Sequence, residues 1–97
     1  MLSLALFRPR PRPQMPSNPW NWGRDTVSNF LGALNPRKSA DREEVRRQLR
    51  VLERAIGALC TKRFPTVESV LRAKPQELPV QLRAYRELYE YMRVWLN

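Results

Sequence analysis

Apolar residues recur along this chain at helical rather than strand spacing. From Asp41 onward, Val45, Leu49, Leu52, Ile56 and Leu59 follow one another at alternating steps of four and three. That alternation predicts a helix over about 41–63 whose apolar seam packs lengthwise on another helix, in the manner of a coiled coil. Asp41 and Glu44 resemble the D-x-x-E start of a capping box, and Lys62 and Arg63 place positive charge where a helix C-terminus favours it. Phe64-Pro65 stops the element. A second long helix is expected over about 79–96, because Pro79 is tolerated in a first turn. Leu82, Tyr85, Leu88, Tyr89, Met92, Trp95 and Leu96 then form a stripe wide enough to face more than one neighbour. Short helices are expected over about 25–34, with Val27, Phe30, Leu31 and Leu34 on one face, and over about 66–73, with Val67, Val70 and Leu71. The fold class that follows is all-α: a small antiparallel helical hairpin or bundle, two long helices braced by two short ones, with no strand and no repeat.

Ahead of these helices the pattern changes. Six of the nine prolines fall in the first 36 residues, and the first 24 carry four arginines and no acid. Residues 1–24 therefore read as an extended, disordered Pro/Arg-rich arm, and residues 25–97 as the helical domain. The run Arg8 to Pro16, RPRPRPQMP, favours polyproline II. Within it Arg10, Pro13 and Pro16 fit the R-x-x-P-x-x-P spacing that a proline-reading groove with an acidic rim recognises. Trp20 and Trp22 follow beside Gly23, and indoles at such positions either bury against the helical body or anchor a partner. Met1 to Phe7 is apolar but too short to span a bilayer, so no integral membrane insertion is expected. Its charges follow the apolar run, against the order of a secretory signal, while arginine, serine and the absence of acid leave a mitochondrial presequence open.

Composition narrows the chemistry sharply. The 97 residues contain no histidine and one cysteine, Cys60. Histidine-dependent nucleophilic arrangements are excluded, and one cysteine cannot assemble a zinc site or an intrachain disulfide. With three glycines there is no glycine-rich phosphate loop. Neither an enzymatic activity nor a cofactor is expected. Cys60, one position past the seam, reads as a small buried hydrophobe rather than a reactive thiol.

Charge points to what the chain binds. Eighteen basic residues against nine acidic give a net charge of +9, and such a surface attracts nucleic acid, anionic membrane or an acidic protein patch. On the long central helix Arg46, Arg47, Arg50 and Arg54 recur on the side away from the apolar seam, with Lys62 and Arg63 beyond them. A rigid row of guanidinium groups suits duplex RNA, recognised largely through phosphates and 2′-hydroxyls, and also suits DNA phosphates. The same row is what a solvated helix face requires, and Glu43 lies at i,i+4 to Arg47.

The readings this supports are three. The first is a small basic binding protein that holds nucleic acid, RNA in preference to DNA, electrostatically through Arg46, Arg47, Arg50, Arg54, Lys62 and Arg63. The second is an interaction adaptor docking through Arg10, Pro13, Pro16, Trp20 and Trp22. The third is a peripheral subunit of a larger assembly. In general type, a short basic chain with a proline-arginine arm and a helical hairpin resembles viral accessory proteins and small subunits of ribosomes or organellar assemblies, though no residue motif identifies either group. Tyr85, Tyr89, Tyr91 and Trp95 could stack single-stranded bases, with Arg83, Arg86 and Arg93 as phosphate contacts, but most of the aromatics share the core stripe, and Tyr91 stands off it. An apolar stripe longer than the core can bury would imply a homodimer. The expected setting is intracellular, cytoplasmic or nuclear, with the mitochondrion as an alternative.

Overall fold

The computed structural model describes residues 14–97, and all regular structure among them is helical. Helix α1 spans Arg24–Gly32, α2 Ser39–Ala58, α3 Val67–Arg72 and α4 Val80–Leu96, with 3₁₀ turns at Pro19–Asn21 and Pro75–Glu77. The two long helices run antiparallel. Arg63, just past α2, pairs with Glu77, just before α4, at 3.6 Å, and further along Tyr89 of α4 donates to Glu53 of α2 at 3.3 Å. Helix α1 lies along α4, tied by Arg24 to Glu87 and by Tyr91 to Ser28, while α3 closes the far end of α2.

The core follows from the periodicity. Val45, Leu49, Leu52 and Ile56 bury the seam of α2 against Leu82, Tyr85, Leu88, Met92 and Leu96 of α4, with Val27, Phe30 and Leu31 of α1 and Val70 of α3 closing the sides. Each fully buried side chain of this size contributes about 1.5–3 kcal/mol, and Leu52→Ala, at a fully buried site, would cost about 2–5 kcal/mol. Among the described residues no buried side-chain nitrogen or oxygen lacks a hydrogen bond.

Element ends differ from the sequence expectation where tertiary contacts intervene. Helix α2 begins three residues before the expected cap: Lys38 occupies the N-cap, and Asp41 lies inside the first turn, its Oδ2 accepting the Asn35 backbone N–H at 2.8 Å. It also ends five residues early, at Ala58. Thr61 turns the chain, donating its N–H to the Phe64 carbonyl at 3.0 Å and accepting the Phe64 N–H on its hydroxyl at 3.2 Å. That turn drives Phe64 into the core, which a helix continued to 63 would forbid. Helix α3 is held by a reciprocal capping box in which the Thr66 and Ser69 side chains each accept the other's backbone N–H at 3.1 Å.

Residues 14–23, assigned to the arm from composition, lie against the helical body here, with Met15 and Trp22 buried in the core. Arg10 and Pro13 lie outside the described residues.

Candidate nucleic-acid interface

Helix α2 is 20 residues long, and only one side of it is needed for the core. The opposite side carries Glu43, Arg46, Arg47, Arg50 and Arg54, all exposed. Arg46, Arg50 and Arg54 stand four residues apart, so each is one turn, about 6 Å, further along the axis. Arg42 continues the ladder backwards by one step and was missed from the sequence although the i−4 spacing was there to read. It is half-buried, and its Nη1 donates to the Pro36 carbonyl at 3.4 Å.

Carboxylates answer part of this charge. Glu43 reaches Arg46 at 3.4 Å and Arg50 at 4.0 Å, and Glu44, its side chain largely covered, holds Arg47 and accepts from Gln48. Exposed pairs of this kind hold weakly, by about 0.2–1 kcal/mol, so the guanidinium groups of Arg46 and Arg50 can exchange partners readily. Arg54 takes no ion pair among the described residues, nor do Arg37, Lys38, Lys62, Lys74 and Arg93.

The sixth of these, Arg93, lies on α4 and reads from the sequence, with Arg83 and Arg86, as a phosphate contact beside the tyrosines. Its charge acts on Tyr89, lowering that hydroxyl's pKa against the stronger effects of burial and of Glu53, which leave it above the usual tyrosine value. Since Tyr89 is level with Glu53 and the helices are antiparallel, four residues on along α4 brings Arg93 level with Leu49 and Arg50. Beside Arg50 and Arg54 the surface dips into an open hollow of about 720 Å³, lined also by Glu53, Gly57 and Val67.

The remaining sequence candidates are placed elsewhere. With α2 ending at Ala58, Lys62 and Arg63 leave the row, and Arg63 lies over the Phe64 ring, 5.4 Å from its centroid, while pairing with Glu77. Trp22 is 5% exposed and so is not presented for docking in this fold, whereas Trp20 is 46% exposed, edge-on to Tyr85 with ring centroids 5.6 Å apart. Pro16 is exposed, but its carbonyl is taken by Trp22. Tyr85 is buried and Tyr89 half-buried, which leaves Tyr91 as the exposed ring of the tyrosine set. Cys60, half-buried, donates its thiol to the Ile56 carbonyl at 3.5 Å. No group of three or more metal-ligating side chains, and no helix long and apolar enough to cross a membrane, occurs among the described residues.

The fold and this surface define a small all-α hairpin that displays a cationic helix face. Comparison with protein-family models, with curated proteins and with solved structures finds no match to this chain.

Proposed function

We propose that this chain is a non-enzymatic nucleic-acid-binding protein that grips the phosphate backbone, duplex RNA in preference to DNA, with the arginine stripe of α2. The observation that carries this reading is the ladder Arg42, Arg46, Arg50 and Arg54 on one rigid helix, with Arg93 level with its middle, in a chain of net charge +9. The exposed face of α2 supplies charge but no amide side chain for base edges, since Gln48 is half-buried and bonded to Glu44. Contacts of that kind position a protein on a duplex without reading its sequence, which suits the phosphates and 2′-hydroxyls lining the shallow groove of RNA.

Fluorescence anisotropy of labelled duplex RNA, duplex DNA and single strands across a salt series tests the reading. Four phosphate contacts predict a slope of log affinity against log salt near −3.6, or roughly a hundredfold loss between about 50 and 200 mM salt. The triple variant Arg46→Glu, Arg50→Glu, Arg54→Glu is expected to abolish binding. Feeble binding of equal strength by both proteins would refute the proposal.

A second reading, a protein-interaction adaptor, draws support from Trp20, a large ring held in place on Tyr85 with nearly half its surface in water. It requires that a protein partner survive the arginine changes and be lost with Trp20→Ala.

A further inference from the structure

Off the core, helix α4 carries a second row of exposed and mostly apolar side chains that borders α1 through the Glu87–Arg24 and Tyr91–Ser28 contacts. Val80, Ala84, Tyr91 and Val94 are exposed there, and with Glu87 they succeed one another at steps of four, three, four and three. Val80 is 78% and Val94 72% exposed. Scattered apolar side chains on a surface need no explanation, but a row of them at the spacing of a helix seam along a whole helix does. Beside the stripe, between α4 and the chain entering α1, lie two hollows of about 370 and 510 Å³. Both are lined by Arg24 and Glu87, whose ion pair at 3.5 Å stands where they adjoin.

We infer that this face docks a second copy of the chain, α4 against α4 in antiparallel, about a two-fold axis close to Glu87. A two-fold contact requires a surface complementary to itself, and this one is nearly palindromic. Val80 and Val94 lie seven residues to either side of Glu87, while Ala84 and Tyr91 lie three before and four after. Reversal therefore sets valine near valine and the large Tyr91 near the small Ala84.

Charge follows the same symmetry. Arg83 and Glu90 flank the stripe on the side away from α1, bordering one depression with Pro75. Four before and three after the centre, Arg83 of each copy comes within one residue, about 1.5 Å, of level with Glu90 of the other. Arg83 uses its Nε and one terminal nitrogen on the Pro75 and Leu78 carbonyls, and Glu90 gives Oε1 to Arg86, so both retain capacity for a partner. At the axis the two Glu87 carboxylates are answered by the two Arg24 groups. A chain of net charge +9 tends to repel its own copy, and on this face Glu87 and Glu90 offset much of the charge of Arg24, Arg83 and Arg86. The stripe is about 21 Å long, and its contact falls short of the ~800 Å² per partner of a standard interface, so the dimer is concentration-dependent.

Sedimentation equilibrium of the full chain, without nucleic acid, from about 5 to 500 µM in ~0.15 M salt tests this. The weight-average mass should climb from 11.5 kDa toward twice that value. Val94→Arg, at a site too exposed to affect folding, should hold it at 11.5 kDa with an unchanged circular dichroism spectrum. Arg83→Glu and Glu90→Arg should each weaken association at least tenfold, yet an equimolar mixture of the two should associate, because one variant presents acids where the other presents bases. A mass fixed at 11.5 kDa throughout, or an increase that Val94→Arg leaves untouched, would overturn the inference. Failure of the mixture would overturn the antiparallel pairing. The α2 triple variant should dimerise normally, so the outcome is independent of the nucleic-acid proposal.

Discussion

The indole nitrogen of Trp22 donates to the Pro16 carbonyl at 2.8 Å, so a ring buried in the core also ties down the chain that precedes it. Trp20, two residues earlier, instead lies against Tyr85 with much of its ring in water. The two tryptophans should therefore differ sharply in their effect on stability. Trp22→Ala should cost about 3–5 kcal/mol, a large share of the ~5–15 kcal/mol typical of a domain, and Trp20→Ala about 0.5–1.5 kcal/mol. Urea unfolding followed by circular dichroism measures both, and equal losses would contradict this placement.

Glu43 is shared by Arg46 and Arg50, and removing its charge frees both guanidinium groups without touching the core. On the nucleic-acid reading, Glu43→Gln should tighten duplex RNA binding by about threefold, in keeping with the ~0.2–1 kcal/mol of exposed ion pairs. Anisotropy titration at one fixed salt concentration decides it. Unchanged or weaker binding would place the contact off this stretch of α2.

Tyr89 carries a pH prediction. Burial, then the Glu53 charge and the hydrogen bond to it, hold its pKa above the ordinary value, with Arg93 opposing. A tyrosine raised on folding is protonated in both states below its unfolded pKa of about 10, and its stabilising effect is lost as pH climbs through the folded value. The melting temperature should therefore fall above about pH 10, and Tyr89→Phe should make that fall shallower. Melts from about pH 8 to 11.5 check the slope, and parallel curves would mean that Tyr89 does not titrate differently on folding.

Gly57 occupies the last turn of α2 without a positive φ, and a Cβ there would meet Val67 Cγ2 at 3.6 Å, an ordinary contact. Gly57→Ala should stabilise the protein by about 0.4–1 kcal/mol through reduced freedom of the unfolded chain. A shift in the urea midpoint toward lower concentration would show that Val67 cannot accommodate the methyl group.

The parts of this fold that were legible in the sequence are the locally determined ones. The seam Val45, Leu49, Leu52, Ile56 and the inner stripe of α4 announced themselves because helical burial repeats every three to four residues. The end of α2 did not, because Phe64 leaves the helix for a core assembled from distant residues. Trp20 and Trp22 look alike in sequence, and only their place in the tertiary structure, Trp22 in the core and Trp20 at its edge, separates them. In the candidate site Arg46, Arg50 and Arg54 were evident from spacing, whereas Arg93 joins them through tertiary structure. The outer stripe of α4 was masked by its inner one, and Tyr91 alone stood out.

The carboxylates of Glu43 and Glu44 already occupy three arginines of the α2 face, and this sets a threshold on what can displace them. A lone phosphate or a single acidic side chain offers each guanidinium little more than the neighbour it already has. A polymer that brings several phosphates at once trades many weak internal pairs for many external ones and releases its own condensed counterions in the process. On the nucleic-acid reading, the stripe is then a filter for charge density, indifferent to dilute anions and responsive to a phosphodiester backbone.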